Sequence, residues 1–256
     1  MKKTKKTRPL RESRKLEIQY RKALLVRVNW LKDHQAQIIN EVKTQTDAAG
    51  TDLRTRINKL RKMFNERFPK RAAKRLATRV YNRADDYSFN SMKGAIKTLD
   101  VDLANAIKTS GLSEFSNIAI QNQVDLITSI SDTYFDKVES LVYNGVMNGE
   151  DFDLLGKKIQ DLTGATAKRA KFIARDQTAT LNSILSKKRA ENAGITQGEW
   201  VKTKFSNTSN YTPRESHIKA DGKIFDLDKG LKVDGEFIFP GQPIGCTCTI
   251  AYIMPN

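Results

Sequence analysis

Apolar side chains recur every three to four residues over most of the first 190 positions, and this spacing is typical of amphipathic helices. Between these stripes the chain is polar, with few glycines or prolines to interrupt the period. The pattern therefore predicts a series of helices, several of them long. The predicted stretches are 16–42, 53–68, 70–88, 92–108, 113–147, 152–162 and 166–192.

The pattern of residues changes after Gly194, a glycine at the position where the last long helix is expected to end. Helical periodicity stops, and short runs typical of strands follow at 199–201, 223–225, 236–239 and 247–252. Asp-Gly pairs precede two of these runs and predict tight turns. The fold class expected is mainly α, with a long-helix N-terminal body followed by a small α+β C-terminal module.

These patterns divide the chain into three segments. Residues 1–15 are expected to form a basic flexible arm, and residues 16–147 a helical, basic N-terminal domain. Residues 148–256 are expected to form a C-terminal domain, with helices over 150–193 and a β-containing module over 195–253.

Composition excludes several classes of protein. No apolar run approaches the roughly 18–20 residues that cross a bilayer, and two cysteines in 256 residues exclude a disulfide-rich scaffold. The basic start of the chain is not followed by an apolar core, so a signal peptide is not expected. A reducing cytosol, or an assembly built there, is the expected environment.

Charge is distributed unevenly. Residues 1–90 hold 25 of the 45 Lys and Arg but 9 of the 29 Asp and Glu, so the whole net charge of +16 lies in this part. Solvated helix faces would explain the basic residues but not the scarcity of acids beside them. The asymmetry predicts non-specific binding of double-stranded DNA, with no base-reading motif and no membrane contact. The expected DNA-binding residues are Lys2, Lys3, Lys5, Lys6, Lys70, Arg71, Lys74, Arg75, Arg79 and Arg83.

An ordered series of motifs runs through the last hundred residues. A helix with an Ile-Ala-Arg-Asp sequence is followed by a tryptophan, by an Arg…His…Asp-Gly stretch, by a Pro-Gly turn and by a Cys-x-Cys pair. The residues concerned are Arg175, Trp200, Arg214, His217, Asp221, Gly222, Cys246 and Cys248. In this order, over roughly residues 150–252, the chain resembles the phage Mu protein F-like head morphogenesis family. Thr247 stands where that family usually has arginine.

The resemblance implies a minor capsid protein of a tailed phage. Such a protein would be a virion component inside the capsid, associated with the portal and with capsid or scaffold proteins. It would act in head morphogenesis and in DNA packaging or DNA ejection. The resemblance implies no enzymatic activity and no catalytic residues. A cellular DNA-binding protein of the nucleoid or toxin-linked type is an alternative that the basic half alone would permit.

The chemistry of His217, Cys246 and Cys248 leaves three interpretations open. Two thiolates and an imidazole are ligands that zinc prefers, with Asp221 or water as a fourth, so a structural zinc ion is the one candidate cofactor. A cysteine activated by the histidine would instead make the chain an enzyme for hydrolysis or group transfer. In the third interpretation the three side chains only pack and form hydrogen bonds, as Trp200 is also expected to do. Arg175 and Asp176 are expected to form ion pairs on a helix surface or between domains.

Overall fold

The computed structural model describes residues 5–44, 50–106, 113–202 and 214–255. It confirms the predicted fold class, since long helices are followed by a small α+β module. The helices are α1 (Arg14–Thr44), α2 (Gly50–Arg67), α3 (Lys70–Lys97), α4 (Val101–Ala106), α5 (Ser113–Met147), α6 (Phe152–Asn192) and α7 (Glu215–Ala220). The strands are β1 (Gln197–Val201), β2 (Ile224–Asp226), β3 (Leu231–Val233), β4 (Glu236–Ile238) and β5 (Thr249–Ile253).

The structure corrects two predicted helix boundaries. The helix that begins at Lys70 continues to Lys97, and α4 starts afterwards where the side chain of Asp100 accepts the backbone N–H of Leu103 at 2.8 Å. The predicted separation of helices 152–162 and 166–192 is wrong, since α6 runs through Gly164 between them as one helix. A lone exposed glycine costs a helix only about 1 kcal/mol, which the buried residues on either side of it offset.

The end of α6 agrees with the prediction. Gly194 has a φ of +75°, and the N–H of Ile195 bonds back to the carbonyl of Ala190 at 2.9 Å. This is the bond of a Schellman C-cap, which leaves the helix and directs the chain into β1.

The strands form two small antiparallel sheets, one in the order β2-β1-β5 and one of β3 paired with β4. Residues 231–233 and the short helix α7 were not predicted to be regular. The β3–β4 hairpin turns at Asp234 and Gly235, whose φ angles of +52° and +89° fit the two-residue turn that Asp-Gly favours.

Residues 5–10 differ from the predicted flexible arm, because they run beside β5. The N–H of Thr7 bonds to the carbonyl of Tyr252 at 2.9 Å, and the N–H of Leu10 bonds to that of Ile250 at 3.2 Å. The carbonyl of Leu10 also accepts the Asn182 side-chain amide at 2.8 Å. This segment therefore covers the edge of the larger sheet.

The chain forms two compact units, each assembled from separate segments, whereas the predicted domains are consecutive. Unit 1 comprises Met1–Glu17, Arg79–Ala119 and Arg175–Asn256; unit 2 comprises Ile18–Thr78 and Ile120–Ala174. Unit 2 is helical, with a core supplied by α1, α2, α5 and α6. Among the described residues, no helix is both long and apolar enough to span a membrane.

Unit 1 has a separate core that packs the small sheets against helices. Its buried side chains come from α3, from the C-terminal half of α6 and from the strands, with Trp200 and Tyr252 completely enclosed. Arg189 is also enclosed and bonds to Asp85 at 2.6 Å, which fixes α6 against α3 within this unit.

Candidate functional site

His217, Cys246 and Cys248 come together inside unit 1. His217 lies on α7, and the two cysteines lie in the segment that leads into β5. The three side chains are buried, with residue exposures of 2%, 2% and 8%. We call these three residues the Cys–His cluster.

The donor atoms of the Cys–His cluster face one another. Nδ1 of His217 lies 3.4 Å from Sγ of Cys246 and 3.7 Å from Sγ of Cys248. The ring of Trp200 meets the His217 ring edge-on, with the ring centroids 5.3 Å apart. Trp200 therefore packs in the core, as expected, and its indole also limits where the imidazole of His217 can lie.

The loop between β4 and β5, residues 239–248, folds back on itself. Gly241 has a φ of +79°, and a Cβ at this position would lie 3.0 Å from Cβ of Ser183 and 3.2 Å from the carbonyl of Cys248. A glycine is therefore required here for both conformation and space. Because the backbone approaches so closely, the N–H of Gly241 donates to Sγ of Cys246 at 3.3 Å.

This environment lowers the pKa of Cys246 to about 6. The main cause is the hydrogen bond that the Cys248 thiol donates to Cys246. The backbone N–H groups of Cys248 and Gly241 and the charge of His217 act in the same direction, and burial opposes them. The lowered pKa favours the thiolate form of Cys246, which suits both a metal ligand and a hydrogen-bond acceptor.

Polar side chains on α6 hold the loop in place. The carboxylate of Asp176 accepts the backbone N–H of Gly245, and the hydroxyl of Thr180 donates to the carbonyl of Gly241 at 3.2 Å. Ser183 donates likewise to the carbonyl of Pro240. Irregular backbone lacks ladder partners, so these side chains satisfy groups that would otherwise be buried unpaired.

The expected ion pairs of Arg175 and Asp176 stay a prediction, but the structure shows a further contact: Asp176 is buried, and its carboxylate accepts backbone N–H. Arg175 beside it is half-buried. Sequence reasoning did not single out Asp176, Thr180 and Ser183 as a group. Their spacing of four and then three residues places them on one helix face, and short polar side chains on a buried face are a signal for backbone contacts.

The remaining residues of the motif series have structural roles nearby. Arg214 donates to the carbonyl of Ile244 at 2.9 Å and so connects the start of α7 to the loop. Asp221 accepts the backbone N–H of Lys202 at 2.8 Å. Gly222 has a φ of +79° and bonds to the carbonyl of Trp200. The ordered series in the sequence is therefore one connected structure around the Cys–His cluster.

The predicted DNA-binding residues form two groups. Lys2 and Lys3 lie outside the described residues, Lys5 is exposed, and Lys6 forms an ion pair with Glu199 at 2.6 Å. The others are all exposed on α3, while Ala73, Ala77, Val80 and Ala84 of the same helix are buried. We call them the α3 basic surface; they are Lys70, Arg71, Lys74, Arg75, Arg79 and Arg83.

Comparisons with known proteins support the resemblance seen in the sequence. Residues 136–251 match the family model described as "Phage Mu protein F like protein". An uncharacterized protein of Haemophilus influenzae is 30% identical over 186 residues, which cover 72% of this chain and 40% of the relative. The chain thus spans less than half the length of this relative. No solved structure matches the chain.

Proposed function

We propose that this chain, whose residues 136–251 match the model of the Phage Mu protein F like family, is a minor protein of a tailed-phage head. The observation that supports this most strongly is the agreement between the matched region and the structure. The match covers α6, β1 to β4, the loop and the first residues of β5, and the family-like motif residues within it surround the Cys–His cluster.

The finer role that we propose is association with the portal and with capsid or scaffold proteins, inside the capsid. There the chain would take part in head assembly and in packaging or ejection of DNA. The alternative of an enzyme that uses the Cys–His cluster is less consistent with the geometry. His217 and Cys246 are each only 2% exposed, so a substrate would reach neither without movement of the loop or α7.

Heads purified from the phage or prophage that encodes this chain test the proposal. We expect the chain in DNA-filled particles at a few copies, recovered with portal protein when particles are dissociated gently. Deletion of the gene should sharply reduce the yield of infectious filled heads, and expression of the chain in trans should restore it. Particles of normal infectivity that lack the chain would refute the proposal, and the same measurement on a capsid-protein deletion provides the control for assembly failure.

Binding of double-stranded DNA through the α3 basic surface completes the proposal. Lys70 and Arg71 lie in the first turn of α3, where the helix dipole already places positive charge, and this turn contains no acid. Each such placement costs about 0.3–1 kcal/mol, and a bound phosphate would reverse this cost. Lys6 should contribute less, because Glu199 already pairs with it.

The salt dependence of binding to a DNA duplex tests this interaction. We expect the logarithm of the association constant to fall with the logarithm of salt concentration with a slope of about −5, as for about six neutralised phosphates. Substitution of Lys70, Arg71, Lys74, Arg75 and Arg79 by glutamine should reduce the slope by about 4 and weaken binding at least 100-fold at low salt. Fluorescence anisotropy with a labelled duplex measures both quantities.

A control variant distinguishes a specific surface from net charge. The control replaces five exposed lysines outside residues 1–90 by glutamine and so removes the same charge; they are Lys157, Lys168, Lys219, Lys223 and Lys232. This variant should keep most of the affinity and the slope. Equal losses in the two variants, or a slope near zero in the unmodified protein, would contradict binding through the α3 basic surface.

A further inference from the structure

We propose that the Cys–His cluster is a zinc site, in which Nδ1 of His217 and Sγ of Cys246 and Cys248 bind the ion and water occupies the fourth position. The three donor atoms all lie within 4.8 Å of one another. Two thiolates and one imidazole form a donor set that favours zinc over the hard cations, which prefer oxygen. The inference does not depend on the proposed role in the phage head.

The distances fit a tetrahedral ion. Zinc lies about 2.3 Å from sulfur and about 2.0–2.1 Å from imidazole nitrogen, which places the sulfur and nitrogen ligands of a tetrahedral site about 3.5 Å apart. In the structure these separations are 3.4 Å and 3.7 Å. Both separations between the imidazole and the thiols therefore match those of a tetrahedral site.

The surroundings hold the ligands in this arrangement. The N–H of Gly241 already donates to Sγ of Cys246 at 3.3 Å, as backbone N–H groups do to metal-bound thiolates. Asp176 fixes the loop at Gly245, next to Cys246, and Arg214 fixes it at Ile244. The Trp200 ring limits the position of the imidazole from another side. The ligands are thus oriented before an ion binds.

Asp221 does not complete the site. It is exposed, its carboxylate accepts the N–H of Lys202, and it does not belong to the group of donors that converge. Within the described part of the chain, the fourth ligand is therefore not supplied by this carboxylate, and we assign the position to water.

The ion would connect parts of unit 1 that are distant in sequence. His217 and Cys246 are 29 positions apart in the sequence, and the strands between them have three residues each. A metal bond between α7 and the loop would close this segment, which is the kind of reinforcement that small modules with limited cores use. We therefore expect the ion to have a structural effect.

Metal analysis of the full chain, purified without a histidine tag from zinc-supplemented cells, tests the site. We expect about one zinc ion per chain. The variants Cys246→Ser, Cys248→Ser and His217→Ala should each retain less than a tenth of this amount. His34→Ala is the matched control and should keep the full content, since His34 is the other histidine of the chain and lies on α1.

Cobalt substitution keeps the test decisive if a variant fails to fold. The unmodified protein, stripped of metal and titrated with Co²⁺, should develop the d–d absorption and the thiolate charge-transfer band of a tetrahedral site at one equivalent. The inference is overturned if the unmodified protein binds neither ion stoichiometrically, or if the cysteine variants retain zinc.

Discussion

Replacement of Trp200 by alanine is expected to lower the free energy of unfolding by about 3–5 kcal/mol, which is the usual cost of truncating a large enclosed aromatic side chain. Trp200 is 0% exposed and contacts the rings of His217 and Phe225 edge-on. The cavity would lie beside the Cys–His cluster. The imidazole of His217 would lose one of the contacts that orient it.

Urea denaturation followed by far-ultraviolet circular dichroism measures this effect without relying on the fluorescence that the substitution removes. Trp30 provides the control, since it is only half-buried on α1 and stacks on His34 with the centroids 3.7 Å apart. Trp30→Ala should cost clearly less than Trp200→Ala. A loss below about 1 kcal/mol for Trp200→Ala would show that unit 1 can refill the space and does not depend on this side chain.

Removal of the Asp85 carboxylate is expected to destabilise the protein by a similar amount, about 3–5 kcal/mol. The Arg189 side chain is 0% exposed, and its Nη2 lies 2.6 Å from Oδ1 of Asp85. Its other contacts are weaker: Ser88 Oγ lies 3.4 Å from Nη1, and the ring of Phe89 is 5.8 Å away. Asp85→Ala would therefore leave a guanidinium buried with too little to compensate its charge.

A double-mutant cycle identifies the cause. Arg189→Met together with Asp85→Ala removes both charges, so the double variant should be much more stable than the sum of the single losses predicts. The neighbouring Asp86→Ala serves as the control, because Asp86 is exposed on the same helix, and it should change stability by less than about 0.5 kcal/mol. Additive losses in the cycle would contradict the interpretation.

Much of the fold follows from local pattern. The three-to-four residue period identified α1, α2 and α5 because their apolar stripes pack in a core, and packing rather than propensity decides where a helix persists. The same rule explains the error at Gly164. This glycine weakens α6 locally, but buried residues on both sides keep the helix continuous.

The site could be predicted only in part. The order of motifs indicated that His217, Cys246 and Cys248 belong together, and the structure places them within 4.8 Å. The order of motifs could not show that Asp176 would bond to the loop. Its partner is a backbone N–H 69 positions away, and every residue other than proline has such a group, so the sequence does not indicate which one is the partner. The pairing of residues 5–10 with β5 was hidden for the same reason.

This pairing has a consequence for handling the protein. β5 is an outer strand of its sheet, and residues 5–10 occupy the hydrogen-bonding groups that would otherwise face solvent. A shortened version that begins at α1 would expose this row, and an unprotected strand is a template on which a second molecule can add. Self-association after truncation would then result from the loss of residues 5–10 at the edge of β5. Fusion partners and purification tags are therefore better attached through a spacer that leaves Lys5 to Leu10 in place.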